Sequence, residues 1–418
     1  MSSMAKSKEI TTVKRGKAEF NLVGRAKVSD FTFKTDIESE KSDWVYNQLN
    51  LGVDCGSCGV IYADLMGGYG SDRENFVYVH GTKKNENGNT VDDFDNRFTI
   101  AWEDRLDEDN FENIGERCFL TVGVEKDTKD KTVYKKFLSP YDAIEYLSEC
   151  LEDGTVVNVK GNIKYQLYND TYTIKKEITS IALSKAEEKD FRATFTQTLL
   201  VDSDCVGKRD KETNTVPLTA RIIDFSKEFD GKKIVKTVNG KKKEGCNIPI
   251  VKIFDIPMED EEKTKKLLKL FKTKSGKITE ITVDGLFSKG EINTTEVTSD
   301  DIPEDIKELM EMGLIDEEEV MSKIALANGG KKPEKMIIKA PHINMIQSGE
   351  NRLPSLARET DKYDEDDVNP LLMIENQGAV LGESEDSTTD DSEVVDTDKL
   401  IDDVLNEDDD DDDWLSNL

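Results

Sequence analysis

Apolar and polar residues alternate along the first stretch of the chain that shows any pattern. Between Lys17 and Phe33 the apolar positions are Phe20, Leu22, Val23, Val28, Phe31 and Phe33, and the run Trp44 to Asp54 sets Val45, Leu49, Leu51 and Val53 among polar neighbours. A period of two with β-branched and aromatic residues marks half-buried strands. Further strands are expected at residues 60–65, 76–80, 98–102 and 118–124, with long loops rich in Gly, Asn, Asp and Lys between 66 and 97. The period then changes. Ser139 followed by Pro140 is a helix start, the hydroxyl capping the free N–H groups and the proline fitting the first turn. Ile144, Leu147 and Leu151 fall on one helical face, and Asp153-Gly154 ends it. Two strands follow, 155–167 and 171–183, joined by a turn at Tyr168-Asn169-Asp170. Gly161 interrupts the first of them, as a strand that bends sharply to close a barrel requires.

The same order recurs. Strands are expected at 193–201, 216–225 and 246–256, then a helix over 260–272 with Leu267, Leu268 and Phe271 as its apolar members, then a strand over 277–287 with Gly285 near its end. Residues 291–297 are expected to complete a hairpin. Set side by side, GTVVNVKGNIKY and GKITEITVDGLF each run from a glycine into a strand that carries a second glycine. The pattern predicts two copies of one small β-barrel. Beyond Ser299, Ile306, Leu309 and Met310 share one helical face, residues 317–327 form another helix, and Lys335 to Lys339 is a short apolar strand or extended patch. The expectation is a mainly β chain with some α: a flexible N-terminus (1–16), a first barrel with long loops (17–186), a second barrel (190–300), a small helical or extended segment (301–346), and a disordered acidic tail (347–418) with an apolar tip.

Charge sharpens this division. The chain of 418 residues has a formal net charge of −31, and residues 361–418 hold 23 acidic side chains against 2 basic ones. The body is therefore only mildly acidic, and its local basic patches matter more than the sum. A segment with so little apolar content and so much like charge cannot support a core. No apolar stretch reaches the length of a membrane span and the N-terminus has no signal-peptide core, so a cytoplasmic protein is expected. Six scattered cysteines do not make a disulfide scaffold. Two histidines, His80 and His342, leave little material for acid–base or metal-hydrolase chemistry. No Ser/His/Asp set, zinc-protease motif or phosphate-cradling loop stands out, so no catalytic residues are assigned, no cofactor is expected, and a binding protein is expected in preference to an enzyme. Cys55 and Cys58, in CGSCG, have the spacing of two zinc ligands, with a plain glycine-rich turn as the other reading.

Several strands with one helix ahead of the last hairpin is the arrangement of the OB-fold, a Greek-key barrel that often binds oligonucleotides. Tandem units of this kind, with a C-terminus reading EDDDDDDWLSNL, resemble the single-stranded DNA-binding proteins of bacteria and bacteriophages. The resemblance spans residues 17 to 300 by pattern and 408 to 418 by composition. It implies barrel aromatics that stack on bases and a tail that recruits replication or recombination proteins. Bacterial members usually carry one barrel and an acidic tip ending in Pro-Phe. Two barrels, long inserted loops and a Trp-Leu tip bring this chain nearer the phage versions.

Such binding needs aromatic faces and cations along one groove. Tyr62, Tyr78, Trp102, Tyr134 and Tyr168 are the candidate stacking residues, with packing of the barrel interior or rim as the alternative. Lys135, Lys160 and Lys164 are candidate phosphate contacts; Lys160, Asn162, Lys164 and Gln166 share one face of their strand, opposite Val159, Ile163 and Tyr165. Lys232, Lys233, Lys241 and Lys242 lie in the most basic loop of the chain, able to close over a backbone or simply to keep a hairpin tip solvated. Asp411, Asp412, Asp413, Trp414, Leu415 and Leu418 are the candidate partner-docking residues, because charge attracts at long range and an apolar tip anchors. Single-stranded DNA and replication or recombination proteins are the expected partners. A protein-only adaptor, in which the barrel aromatics are buried, is the competing reading.

Overall fold

The computed structural model describes residues 13–85, 88–168, 171–211, 213–238, 240–289, 334–348 and 351–382, together with Met310. It is mainly β, and two closed five-stranded barrels account for most of it.

The first barrel is built from β1 (Ala18–Lys27), β3 (Trp44–Asp54), β4 (Val60–Gly70), β9 (Val156–Tyr168) and β10 (Thr171–Leu183), with the short β2 (Phe33–Glu38) paired to the outside of β3. β1 pairs with β3, β3 with β4, β4 in parallel with β10, β10 with β9, and β9 with β1 again. Parallel third and fifth strands in a closed ring are the Greek-key closure of the OB-fold. Between the third and fourth strands the chain inserts the hairpins β5 (Phe76–Lys84)/β6 (Thr90–Ala101) and β7 (Leu120–Lys126)/β8 (Thr132–Phe137), and then α1 (Pro140–Cys150). The Ser139 hydroxyl accepts the Tyr141 N–H at 3.1 Å, and Ile144 and Leu147 bury the inner face of α1. The inserted hairpins carry a small core of their own, with Val79, Ile100, Ile114 and Phe119.

The second barrel repeats the ring. β11 (Arg192–Val201), β12 (Thr215–Ser226), β16 (Cys246–Pro257), β17 (Lys277–Lys289) and β18 (Glu334–Pro341) close in the same order, again with parallel third and fifth strands. The connection between β12 and β16 carries β13 (Glu228–Phe229), β14 (Lys232–Val238) and β15 (Lys241–Glu244), and α2 (Glu261–Leu270) precedes β17. The ring-closing strand was expected within residues 190–300. It is instead β18, whose Met336 and Ile338 are buried. Residues 291–297 and the helices expected over 301–327 lie outside the described residues, Met310 apart.

The expectation of disorder from residue 347 onward is corrected up to Gly382. β19 (Ile343–Ser348), β20 (Asn351–Leu356), β21 (Arg358–Asp364), α3 (Pro370–Asn376) and β22 (Ala379–Leu381) are formed. The segment is poor in apolar residues, but those it has are placed to work: Tyr363, Val368 and Met373 pack with Val13, Leu200, Ile223 and Ile278. Two of its acidic groups are neutralised locally, Asp361 by Lys274 at 3.0 Å and Asp364 by Lys277 at 2.5 Å. The tail from residue 383, with Asp411–Asp413, Trp414, Leu415 and Leu418, lies outside the described residues. Among the described residues no helix is long and apolar enough to cross a membrane.

The two barrels join through their first strands, and the register shows an internal two-fold. Phe20 of β1 faces Phe195 of β11 across the antiparallel pair. Phe20 also faces Gly161 on its other side, and Phe195 faces Gly285. A Cβ at Gly161 would fall on the Glu177 carbonyl oxygen and the Phe20 ring, and one at Gly285 on the Ile337 carbonyl oxygen and the Phe195 ring. Each fifth strand carries an extra residue beside that glycine, Thr179 in one and Lys339 in the other. A bulged, tightly bent strand needs a glycine where another backbone comes this close. One continuous core runs through both barrels.

Candidate nucleic-acid interface

The register that relates the barrels also aligns their outer faces. The parallel contact of third and fifth strands falls at Asp64 opposite Glu177 in the first barrel and at Asp255 opposite Ile337 in the second. Two residues back along each third strand stand Tyr62 and Ile253, which are 49% and 65% exposed. Two residues back along each fifth strand stand Lys175 and Lys335. Both barrels therefore present one outward side chain beside a lysine and an aspartate.

In the first barrel that side chain is aromatic and is surrounded by cations. Tyr62 faces Gly52 across the β3–β4 pair, and Gly52 faces Lys27 on β1. Even a Cβ at Gly52 would stand 3.1 Å from the tyrosine ring, so the glycine keeps that edge clear. The Lys289 ammonium lies 4.5 Å from the ring centroid, a cation–π distance. Lys27 is exposed. Burial raises the Asp64 carboxyl above its usual range, against the pull of Lys175 and Lys176. Phe31, 83% exposed, precedes Thr32, whose carbonyl accepts the Asn50 N–H of β3 at 2.9 Å. An exposed ring flanked by ammonium groups matches a base and its phosphates.

The charge of the neighbouring rows limits where a polyanion can run. Lys175 pairs with Lys164 across β10 and β9, and Lys17 follows in the same row. The next row, across five strands, reads Glu177, Asn162, Glu19, Thr196 and Asp284, and its acidic members would repel phosphate. Burial works to raise the Glu177 carboxyl, but Lys164 at 2.8 Å and the other nearby cations hold it below its usual range.

The other residues named from sequence are spread over the molecule. Lys160 and Lys164 do share the outer face of β9 with the exposed Tyr168 at its end. Tyr134, 60% exposed, and Lys135 are on β8, where Lys135 stands 3.4 Å from Glu125 and over the Tyr146 ring. Tyr78 is half-buried in the inserted hairpin. Trp102 has one face taken by the Arg105 guanidinium at 4.0 Å, which is itself clamped by both Asp142 oxygens at 2.8 Å, and it packs against Tyr69 and Tyr141. Lys232, Lys233 and Lys242 are exposed on the β14–β15 ribbon, which also contains Lys241. β22 pairs with the edge of this ribbon, so the chain enters its acidic tail beside Lys233. Lys27, Phe31, Gly52, Lys175 and Lys289 were missed.

Cys55 and Cys58 are buried around a tight turn, and burial pushes the Cys55 thiol up to about 12. His80 and Cys118 lie together in the core of the inserted hairpins, with Nδ1 and Sγ 3.1 Å apart and Asp92 at 3.1 Å from Nε2. Burial pushes the Cys118 thiol up to about 11. Among the described residues no group of three or more His, Cys, Asp or Glu side chains is arranged to hold a metal ion.

A family model described as YorF matches residues 84–300. Among solved structures, the chain is similar to a deletion mutant of the single-stranded DNA binding protein from Thermus aquaticus, at 9% identity and a TM-score of 0.25, over 66% of this chain and 88% of that one. No curated protein matches the sequence.

Proposed function

The chain belongs to the YorF family, and we propose that it binds single-stranded DNA without strict sequence preference, as a coat protein of replication, recombination or repair and not as an enzyme. The observation that carries this reading is Tyr62. An exposed ring on the outer face of the second and third strands of an OB-type barrel, cleared by Gly52 and bordered by Lys27, Lys175 and Lys289, has the parts that base stacking and phosphate contact need. Stacking accepts any base, because every base has a π-face, so the specificity expected is for an unpaired strand. The tail beyond Gly382 supplies a second function in this reading. Its aspartates and the Trp414, Leu415 and Leu418 tip would dock on basic pockets of replication or recombination proteins.

The test is fluorescence anisotropy of labelled oligo-dT against the full chain, across a salt titration, with duplex of the same length as competitor. Binding that weakens linearly in log salt, and that duplex does not displace, is the expected outcome. No binding at low salt would overturn the proposal and leave a protein-only adaptor in its place.

A further inference from the structure

Past the closing strand of the second barrel the chain forms a two-stranded ribbon, β19 and β20, that is not part of either barrel. Its root is pinned. His342 N–H donates to the Thr282 carbonyl at 2.9 Å, Ala357 N–H to the His342 carbonyl at 3.1 Å, and Thr282 N–H to the Ala357 carbonyl at 2.9 Å. Beyond the root its side chains are apolar and open to solvent: Ile343, Met345, Ile346, Leu353 and Leu356 are 39–56% exposed. The pairing places Ile343, Met345, Pro354 and Leu356 on one face and Ile346 with Leu353 on the other. A lone hairpin is marginal in water, and an apolar area on the order of 400 Å² is at the upper end of what a monomer leaves uncovered.

We propose that this arm is a self-association surface, covered by the arm of a second copy of the chain. Two features favour that occupant. Residues 343–356 hold one acidic and one basic side chain, Glu350 and Arg352, in a chain of net charge −31. Two copies repel over most of their surface, and this neutral arm is where they can approach. A nucleic acid, by contrast, would find a single cation along fourteen residues. The area sets the strength: two arms hold about 800 Å² of apolar surface between them, which is the size of a weak, transient interface. The first strands, a natural edge for pairing barrels, are already joined to one another within the chain.

The experiment is sedimentation velocity on the full chain over a range from ~1 to ~100 μM, the span in which an interface of this size associates. The wild type should move from the mass of one copy to that of two. A chain carrying Met345→Glu and Leu353→Glu should stay at one copy throughout, a loss of at least tenfold in association. A second variant guards against misfolding: because His342 and Ala357 are hydrogen-bonded, replacing residues 343–356 by two glycines leaves the barrel intact, and it too should remain a single copy with an unchanged melting temperature. A wild type of one-copy mass at every concentration would overturn the proposal, and so would variants that still double. Variants that keep the wild-type mass but lose oligo-dT affinity would overturn it as well, and would assign the arm to the DNA.

Discussion

The two barrels share a frame and differ on their faces. Phe20 and Phe195, Gly161 and Gly285, the bulges at Thr179 and Lys339, and the pairs Asp64/Lys175 and Asp255/Lys335 occupy matching places in the two rings. At the centre of each outer face the match ends. The first barrel has Tyr62 opposite Gly52; the second has Ile253 opposite Thr219. The frame residues are constrained from several sides at once. Phe195 packs between Phe254 and Phe287, and its facing glycine cannot gain a single carbon. The outward side chains, 49% and 65% exposed, are held by far fewer contacts. Closure thus rests on the shared frame while the outer faces differ, and at this position the first barrel carries an aromatic ring where the second carries an isoleucine.

The largest effect should come from the shared frame. Gly161→Val and Gly285→Val each force a side chain into a neighbouring carbonyl, and each should destabilise the fold by about 3 kcal/mol or more. Urea denaturation followed by circular dichroism measures it. If one substitution were harmless while the other was severe, the two glycines would not be equivalent.

The faces should separate the barrels more gently. Tyr62→Ala removes a stacking platform and should weaken oligo-dT binding by ~1–2 kcal/mol, roughly tenfold, while Ile253→Ala should change it less than threefold. Equal losses in anisotropy titrations would make both faces binding platforms; no loss for Tyr62→Ala would remove it from the interface.

The smallest effect is expected for the flanking lysines. Lys335 is already held by Asp255 at 2.9 Å. Lys175→Gln should lower the slope of log affinity against log salt by ~0.7, the increment for one phosphate contact on a single strand, and Lys335→Gln should leave it unchanged. The converse result would place the phosphate path on the second barrel.

Much of the frame was legible in the chain because it rests on local patterns. The Ser139-Pro140 helix start, the alternation along residues 155–167 and the glycine within each fourth strand are short-range signals, and Val159, Ile163 and Tyr165 do face the core. The closing strand β18 was not assigned to its ring, because 44 residues separate it from β17 and closure is a long-range pairing. Nor was the order of residues 351–382 visible. An acidic run reads as a polyanion until the lysines that neutralise it, Lys274 and Lys277, are brought alongside by the fold. The candidate site divides in the same way. Tyr62 could be named from its type and strand, but its neighbours come from β1, β3, β10 and β17. Trp102, equally promising as a residue type, is covered by an arginine whose orientation depends on Asp142.

By itself, then, the sequence determined the elements: which stretches alternate, where helices start, where a strand can bend, and that the acidic charge gathers at the C-terminus. These follow from steric and hydrophobic rules that act over a few residues. Tertiary structure decided which strands close each ring, which aromatic rings stay uncovered, and which lysines already have an acidic partner. Those outcomes depend on contacts between residues far apart in the chain, where packing and local dielectric, and not residue type, set whether a side chain is spent on the fold or left for a ligand.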